Sequence, residues 1–236
     1  MVSYSELLLQ CEKELLTWIA AKTTVESAHL ISLHNLTRGL LAPSQHQPFV
    51  LTSVGRVTDQ KVRILRQEMA NGQSALEQVL EILGDDGVFL MLGNGDRELE
   101  VFLTKVAARK QNFIFLKGYS ESLANSLYES GDLFLMPSSF EPCGISQMLA
   151  MRAGQPCLVH GVGGLRDTVK NNENGFVFMG NNLTEQALDM LESCKKILQL
   201  NSSNPELLQK ISRQAAKERF LWSNVAKEYI DTLYLS

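Results

Sequence analysis

The sequence predicts an α/β protein built on a doubly wound parallel sheet with flanking helices. Apolar strand patterns alternate with helical patterns from about residue 49 onward, and this alternation favours parallel strands joined by right-handed helical crossovers. The patterns at Phe49–Val54 and Val88–Leu92 are almost continuously apolar, which is typical of strands buried on both faces. Glycine-rich turns follow several strands, and ligands of such sheets bind beyond the carboxyl ends of the strands.

The predicted elements follow in chain order. We expect strands at Phe49–Val54, Val88–Leu92, Phe113–Leu116, Leu133–Met136, Cys157–His160 and Phe176–Phe178. Asn71-Gly72 interrupts the helical pattern of residues 61–83, which therefore predicts a short helix, a turn and a second helix. The other helices between strands are expected at Glu98–Arg109 and Ser120–Glu129, from Gly144 onward, and at Leu165–Val169. Beyond the sheet, apolar spacing predicts helices at Leu183–Leu200, about 205–220 and about 222–234.

Residues 1–47 are predicted to form a helical extension and linker, and residues 48–236 the domain that carries the sheet and the terminal helices. Apolar residues at helical spacing predict an amphipathic helix in the extension, and they are Leu8, Cys11, Leu15, Trp18 and Ile19. A second, weaker helix is expected through His29–Asn35, followed by a Pro/Ser/Gln linker at Pro43–Pro48.

Composition excludes several classes of protein. The net charge is −4 with acids and bases interspersed, which argues against a nucleic-acid or membrane surface. The four cysteines are widely spaced, without a CxxC or Cys/His pattern, and are expected to be reduced cytosolic thiols. No apolar run approaches the roughly 20 residues of a membrane helix, and the N-terminus lacks the basic and apolar regions of a signal peptide. The sequence therefore predicts a cytoplasmic protein.

Pro137–Thr168 is the most informative stretch of the chain. Glu141 stands in a Pro/Ser/Gly-rich turn between a predicted strand and a predicted helix, and a second glycine turn, Gly161–Gly164, follows the next strand. Two successive strand–turn–helix units with small residues at the turn allow phosphate and sugar hydroxyls to meet backbone amides. This pattern predicts a nucleotide-sugar site.

The run Phe140–Gly144 (FEPCG), followed by Gly163–Val169 (GGLRDTV), resembles the C-terminal domain of bacterial glycogen synthases and plant starch synthases. Four further segments agree in order and spacing, and they are Gly55–Lys61, Gly93–Asp96, Gly118-Tyr119 and Phe220–Tyr229. The resemblance covers about residues 49–235. It implies the Rossmann-like C-terminal, donor-binding half of a retaining glucosyltransferase with the two-domain GT-B architecture.

The resemblance implies a role for each matching residue. Arg56 and Lys61 would neutralise the charge on the leaving diphosphate without a metal, and Glu141 would hold a donor-sugar hydroxyl and favour positive charge at the anomeric carbon. Tyr119 would stack on adenine. The remaining donor contacts are implied for the backbone of Cys143, Gly144, Ile145, Ser146, Gly163 and Gly164. The implied substrate is ADP-glucose or UDP-glucose, with an α-1,4-glucan as acceptor and no cofactor.

Each of these residues also has a plain structural interpretation. Arg56 and Lys61 would then be solvated loop cations, and Glu141 an exposed turn carboxylate or helix-cap acid. Tyr119 would be a core residue at a strand end. Cys143 is expected to be a packed, unreactive thiol, since no base is near it in sequence.

The sequence also departs from the pattern of the resembling family. Val62 replaces a glycine, Leu149 a tyrosine or glutamate near the ribose, and Ser139 an arginine. The family's N-terminal domain has no counterpart in residues 1–47, so we expect the parent protein to be longer or to work with a separate N-terminal half. Two classes therefore stay open. The chain is either the donor-binding half of a glucan synthase, inactive by itself, or a degenerate non-catalytic module that binds nucleotide, glycan or a partner protein.

Overall fold

The computed structural model describes residues 3–22, 25–41, 47–222, 226 and 230–234. Most of the predicted linker at Pro43–Pro48 lies outside these residues, as do residues 223–225 and 227–229 of the predicted terminal helix at 222–234. The described end of that segment, Ile230–Tyr234, forms a short π-helix. Within them, no helix combines the length and the apolar character needed to cross a bilayer.

A six-stranded parallel sheet forms the centre of the molecule. Its strands are β1 (Phe49–Val54), β2 (Gly87–Gly93), β3 (Phe113–Lys117), β4 (Leu133–Met136), β5 (Cys157–His160) and β6 (Gly175–Phe178). They are arranged in the order β3-β2-β1-β4-β5-β6, and every neighbouring pair is parallel. The chain reverses its direction of travel across the sheet between β1 and β4, the point at which such sheets open a ligand crevice.

Helices cover both faces of the sheet. They are α1 (Tyr4–Ala20), α2 (Ser27–Leu41), α3 (Asp59–Arg66), α4 (Ala75–Leu83), α5 (Arg97–Arg109), α6 (Glu121–Ser130), α7 (Ser146–Arg152), α8 (Gly163–Thr168), α9 (Leu183–Ser203) and α10 (Pro205–Ala215). One face packs Phe49 and Leu51 against α3, α4, α5, α9 and most of the buried face of α10. The opposite face packs Val50 against α1, α6, α7 and α8. Alternate strand residues thus lie in two separate cores, which explains why the strand sequences are almost continuously apolar.

Helix α2 runs along the outer edge of β3, the last strand on that side of the sheet. Three of its side chains, spaced to share one helical face, meet every second carbonyl oxygen of the strand. The contacts are Asn35 Nδ2 to Phe113 O (2.9 Å), Ser32 Oγ to Phe115 O (2.5 Å) and a ring nitrogen of His29 to Lys117 O (3.0 Å). We call these three contacts the ladder. They satisfy carbonyl oxygens at the edge of β3 that would otherwise be free to pair with another strand.

The predicted α/β fold is confirmed, and the strand bounds agree to within about one residue. The largest difference is α2, which extends over Ser27–Leu41 rather than only His29–Asn35. Its sequence signal was weak because its buried face carries polar residues, which bond to β3 instead of joining an apolar core. Helix α10 ends at Ala215, earlier than expected.

Candidate functional site

The candidate site lies at the carboxyl edge of the sheet, where the turns predicted to bind the donor follow β1, β2, β3, β4 and β5. The turns after β1 and β2 are joined directly. Val57 N donates to Asn94 O (2.9 Å), and Asp96 N donates to Val57 O (2.7 Å). Gly95 lies so close to Val57 that a Cβ at this position would collide with the Val57 carbonyl. Glycine at position 95 therefore allows the turns after β1 and β2 to pack directly together at this carboxyl edge, which we call the rim of the sheet.

Lys61 and Glu141 form an ion pair across this edge, although they are 80 residues apart in sequence. Lys61 belongs to the first turn of α3, and Glu141 lies in the loop between β4 and α7. Only 21% of the Lys61 side chain and 10% of the Glu141 side chain are exposed. Lys61 is thus no freely solvated loop cation, and Glu141 no exposed turn carboxylate.

The segment before Glu141 is fixed to α3 by Gln60, the neighbour of Lys61. Ser139 N donates to Gln60 O (2.8 Å), and the Ser139 hydroxyl donates to the same oxygen (3.2 Å). Gln60 Nε2 in turn donates to Phe140 O. These three bonds form a clamp between Gln60 and the residues Ser139 and Phe140. The clamp holds Lys61 and Glu141 close together, because Lys61 follows Gln60 and Glu141 follows Phe140 in the chain.

Ser138 bonds to Glu141, and His160 in turn contacts Ser138. The Ser138 hydroxyl donates to Glu141 Oε2 (3.3 Å), and His160 Nδ1 lies 2.9 Å from Ser138 O. The His160 ring stacks on Phe178, with ring centroids 5.2 Å apart. Burial lowers the pKa of His160, so its neutral form, with Nδ1–H donating to Ser138, is favoured at neutral pH. His160 is therefore a buried structural histidine beneath the site.

Gly163 and Gly164 pack against the backbone of the Glu141–Cys143 loop. Gly164 N donates to Glu141 O (3.0 Å). A Cβ at Gly163 would collide with the Glu141 carbonyl oxygen, and a Cβ at Gly164 would collide with that of Cys143. Gly163 also has a φ of +47°, which favours glycine. These contacts within the protein account for both glycines.

The loop that precedes α7 leaves a group of backbone amides without partners. Among the described residues, no acceptor meets the N–H groups of Cys143, Gly144, Ile145 or Ser146. Gln147, which is fully buried, holds the carbonyls of this loop instead. The two N–H groups of its Nε2 are shared among Cys143 O (3.2 Å), Gly144 O (3.0 Å) and the hydroxyl oxygen of Thr168 (3.2 Å). The loop therefore directs its carbonyls inward and leaves its amides free for a ligand.

Arg56 and Tyr119 lie at the same edge, and in the described part of the chain neither forms a hydrogen bond or ion pair with Lys61 or Glu141. Arg56 is exposed and, within the described part of the chain, has no acidic partner. Tyr119 is 70% exposed, which excludes the interpretation as a core residue. Both side chains are therefore available to a ligand that reaches the turns after β1 and β3.

Cys143 differs from its prediction. It was expected to be packed, but the structure exposes it, because the loop carries it over the outside of the Gly163-Gly164 turn. Among the departures from the family pattern, Val62 is fully buried in the core and Ser139 belongs to the clamp with Gln60. Leu149 is half-buried and packs against the core on the α7 side.

Of the predicted residues, the structure brings together Lys61, Glu141 and the loop that carries the free amides. The supporting residues that sequence reasoning missed are Gln60, Ser138 and Gln147. Ser138 lies just after a predicted strand, which is a usable signal. Gln60 and Gln147 occupy ordinary helical positions, and only their contacts reveal their roles.

Comparisons with known proteins show the family to which this chain is similar. A family model described as "Glycosyl transferases group 1" matches residues 42–218. The chain is 38% identical over 167 residues to the glycogen synthase of Aliivibrio salmonicida, a match that covers 68% of this chain and 33% of that protein. It is 34% identical over 198 residues to the glycogen synthase of Desulfitobacterium hafniense, covering 79% of this chain and 39% of the relative. The predicted resemblance is confirmed, and the chain spans only a third to two fifths of these relatives.

Solved structures show the same fold. The catalytic domain of starch synthase IV from Arabidopsis thaliana, bound to ADP and acarbose, matches 97% of this chain and 43% of that chain, with a TM-score of 0.64 and 22% identity. HepE of Anabaena, in complex with UDP-glucose, matches 90% of this chain and 54% of that chain, with a TM-score of 0.59 and 21% identity. These likenesses confirm the predicted fold class, the Rossmann-like half of the GT-B architecture.

Proposed function

Because the chain belongs to the glycosyl transferases group 1 family, we propose that it is the donor-binding half of a retaining glucan synthase, which transfers glucose from a nucleotide sugar to an α-1,4-glucan. The observation that carries this proposal is the Lys61–Glu141 pair. A cation and a carboxylate, distant in sequence, are held together and largely buried at the carboxyl edge of a parallel sheet. That edge is where such folds bind nucleotides.

The two charges suit the two ends of the bond that breaks. Negative charge grows on the departing diphosphate, while the sugar ring gains positive charge. Lys61, with the exposed Arg56 on the preceding turn, supplies cations for the diphosphate. Glu141 supplies a carboxylate for the sugar, where it can accept a hydroxyl and favour positive charge at the anomeric carbon.

The free amides between Cys143 and Ser146 complete this proposed donor contact. They are donors with no acceptor among the described residues, and sugar hydroxyls and phosphate oxygens are acceptors of matching chemistry. Gln147 keeps the loop in this orientation by holding its carbonyls. Together the three groups provide cations, a carboxylate and neutral donors, without a metal.

We propose ADP-glucose ahead of UDP-glucose as the donor. The exposed Tyr119 ring offers a stacking face to a purine, and the starch synthase that shares this fold was solved with ADP. The fold itself admits either nucleotide, since HepE was solved with UDP-glucose.

We further propose that activity requires a second, N-terminal half. One wall of a cleft cannot exclude water or orient an acceptor against the donor. We propose a cytoplasmic location, since all four cysteines are free thiols.

A degenerate binding module is the second candidate, and Leu149 is the observation that favours it. Leucine cannot accept a hydrogen bond from a ribose hydroxyl, so a nucleotide contact of the resembling family would be missing. Under this alternative the chain binds nucleotide or glycan and gains no transferase activity when a complete N-terminal domain is supplied.

Calorimetry on the full chain tests the donor site. We expect ADP to bind weakly, with a Kd in the high-micromolar to millimolar range, because half of the cleft is missing. Lys61→Ala and Arg56→Ala should each weaken ADP binding by about tenfold, the size of one lost charge-assisted contact, while adenosine binding stays within about twofold. Lys196→Ala, which removes an exposed cation paired with Glu192 on α9, is the control and should change neither.

Equal losses for ADP and adenosine would refute phosphate contact by the two cations. No binding of ADP, ADP-glucose or UDP at millimolar concentration would refute the donor site itself. The transferase is tested with radiolabelled ADP-glucose and glycogen, where we expect negligible incorporation by this chain alone. Substantial incorporation would contradict the need for a second half.

A further inference from the structure

The N-terminal helices contact the turn that carries Tyr119. A methyl group added at Gly118 would lie 2.7 Å from Cζ3 of the Trp18 indole, so the α1 ring is packed directly on this glycine. Trp18 is itself oriented by a hydrogen bond from Nε1 to Glu14 Oε1 (3.0 Å). Gly118 has no positive φ that would require glycine. Close packing by Trp18 is therefore the physical reason for glycine at this position.

Helix α2 and the segment before it hold the residue that precedes the same turn. A ring nitrogen of His29 lies 3.0 Å from Lys117 O. Lys117 Nζ pairs with Glu26 and, at 2.9 Å, with Glu100 Oε2. Glu100, which is 7% exposed, also accepts a hydrogen bond from Gly95 N at 2.8 Å.

This chain of contacts joins the N-terminal region to two turns of the rim. It runs from Glu26 through Lys117 and Glu100 to the turn after β2, while Trp18 packs on the turn after β3. The Tyr119 ring is 70% exposed, so its direction depends on the backbone that carries it. That backbone is fixed on one side by Trp18 and on the other by Gly118 N, which donates to Gly93 O (3.2 Å).

We propose that Trp18 and Glu26 are positioning residues for nucleobase recognition, acting through the Gly118-Tyr119 turn. The inference rests on the proposed function, since it assumes that Tyr119 meets the base. The N-terminal helices then set affinity for the base-bearing part of the donor, while the diphosphate is held independently at Lys61 and Arg56. Preorganisation of the turn lowers the entropic cost of stacking.

Two measurements separate this role from a general contribution to stability. One compares the affinities for ADP and inorganic diphosphate, and the other follows hydrogen exchange of the Gly118 amide. Trp18→Leu removes the ring beneath the turn, and Trp18→Phe restores an aromatic ring. Glu26→Gln breaks the ion pair with Lys117 at a partly exposed position, without loss of core volume. Phe89→Leu is the control, because it trims a fully buried ring at the amino end of β2, away from the rim.

Hydrogen exchange of the Gly118 amide is measured on the ligand-free chain, and calorimetry compares ADP with inorganic diphosphate. In Trp18→Leu we expect Gly118 to exchange about tenfold faster and the ADP Kd to rise about fivefold, with the diphosphate Kd unchanged. Glu26→Gln should show the same pattern with smaller changes, and Trp18→Phe should recover most of the wild-type values. Phe89→Leu should leave the ratio of the two Kd values at its wild-type level.

Unchanged Gly118 exchange in both Trp18→Leu and Glu26→Gln would refute the inference, whatever the ligands do. Equal loss of ADP and diphosphate affinity would also refute it. If the wild-type chain binds diphosphate but not ADP, the proposed base contact at Tyr119 is refuted, while the proposed diphosphate contact at Lys61 and Arg56 is not. If wild type binds neither, the proposed function fails, and with it the role of the turn.

Discussion

Removing either partner of the Lys61–Glu141 ion pair is expected to destabilise the fold by about 2–3 kcal/mol. Two unit charges at about 3 Å, with an effective dielectric constant near 20, attract by about 5 kcal/mol, and the cost of desolvating both groups offsets part of that gain. Losing one partner of a fully buried pair costs about 3–5 kcal/mol. Lys61 keeps 21% of its side chain exposed and Glu141 keeps 10%, so the lower end of that range applies.

A double-mutant cycle isolates the interaction. Lys61→Met leaves the Ser138 hydroxyl as the one side-chain partner of Glu141 among the described residues, and Glu141→Gln leaves Lys61 without its acidic partner. The double variant should lose less than the sum of the single variants, with a coupling energy of about 2 kcal/mol. Urea unfolding followed by circular dichroism at neutral pH gives the four free energies of unfolding.

The pair Asp59–Arg63 provides a matched control on the same helix. Its side chains are 58% and 54% exposed, and a pair of this kind couples by about 0.5 kcal/mol or less. Half-molar salt should reduce the coupling of this exposed pair while changing that of Lys61–Glu141 little. A Lys61–Glu141 coupling no larger than the control would refute the view that this pair is a desolvated element of the site.

Three further outcomes are expected. Gly163→Ala should lower stability by about 2 kcal/mol or more, because the position combines a φ of +47° with a collision against the neighbouring loop. Gly55→Ala, which meets nothing within 4 Å, is its control in thermal unfolding, and equal losses would contradict the cause given. Asn35→Ala should cost about 1–3 kcal/mol in urea unfolding, since it removes the donor to the Phe113 carbonyl at the sheet edge and to the Ala107 carbonyl of α5, and a loss below about 0.5 kcal/mol would contradict the ladder. Hydrogen bonds from Lys117 and Lys22 lower the pKa of Glu26 from 4.5 to about 2, so its stabilisation is complete above about pH 5 and is lost as pH falls toward 2. The stability difference between wild type and Glu26→Gln should therefore shrink between about pH 5 and pH 3, and a constant difference would contradict this assignment.

The sequence by itself determined the parallel α/β fold and the family. Strands such as Leu133–Met136 and Cys157–His160 are short, largely apolar and bounded by turn residues, so local pattern was enough to locate them. Glu141 and the glycines of the next turn were identified by motif, because their spacing within one chain segment is itself the signal. These are properties of neighbouring residues, which sequence reports directly.

The tertiary structure decided which residues meet. The pairing of Lys61 with Glu141, the clamp through Gln60 and the support from His160 join segments that are far apart along the chain. Helix α2 was underestimated because its polar face bonds to a strand edge, and only the folded sheet supplies that edge. The packing of Trp18 on Gly118 likewise could not be predicted from the sequence. Such contacts depend on crossovers that bring distant turns to one edge, and no local pattern encodes which side chains then lie within bonding distance.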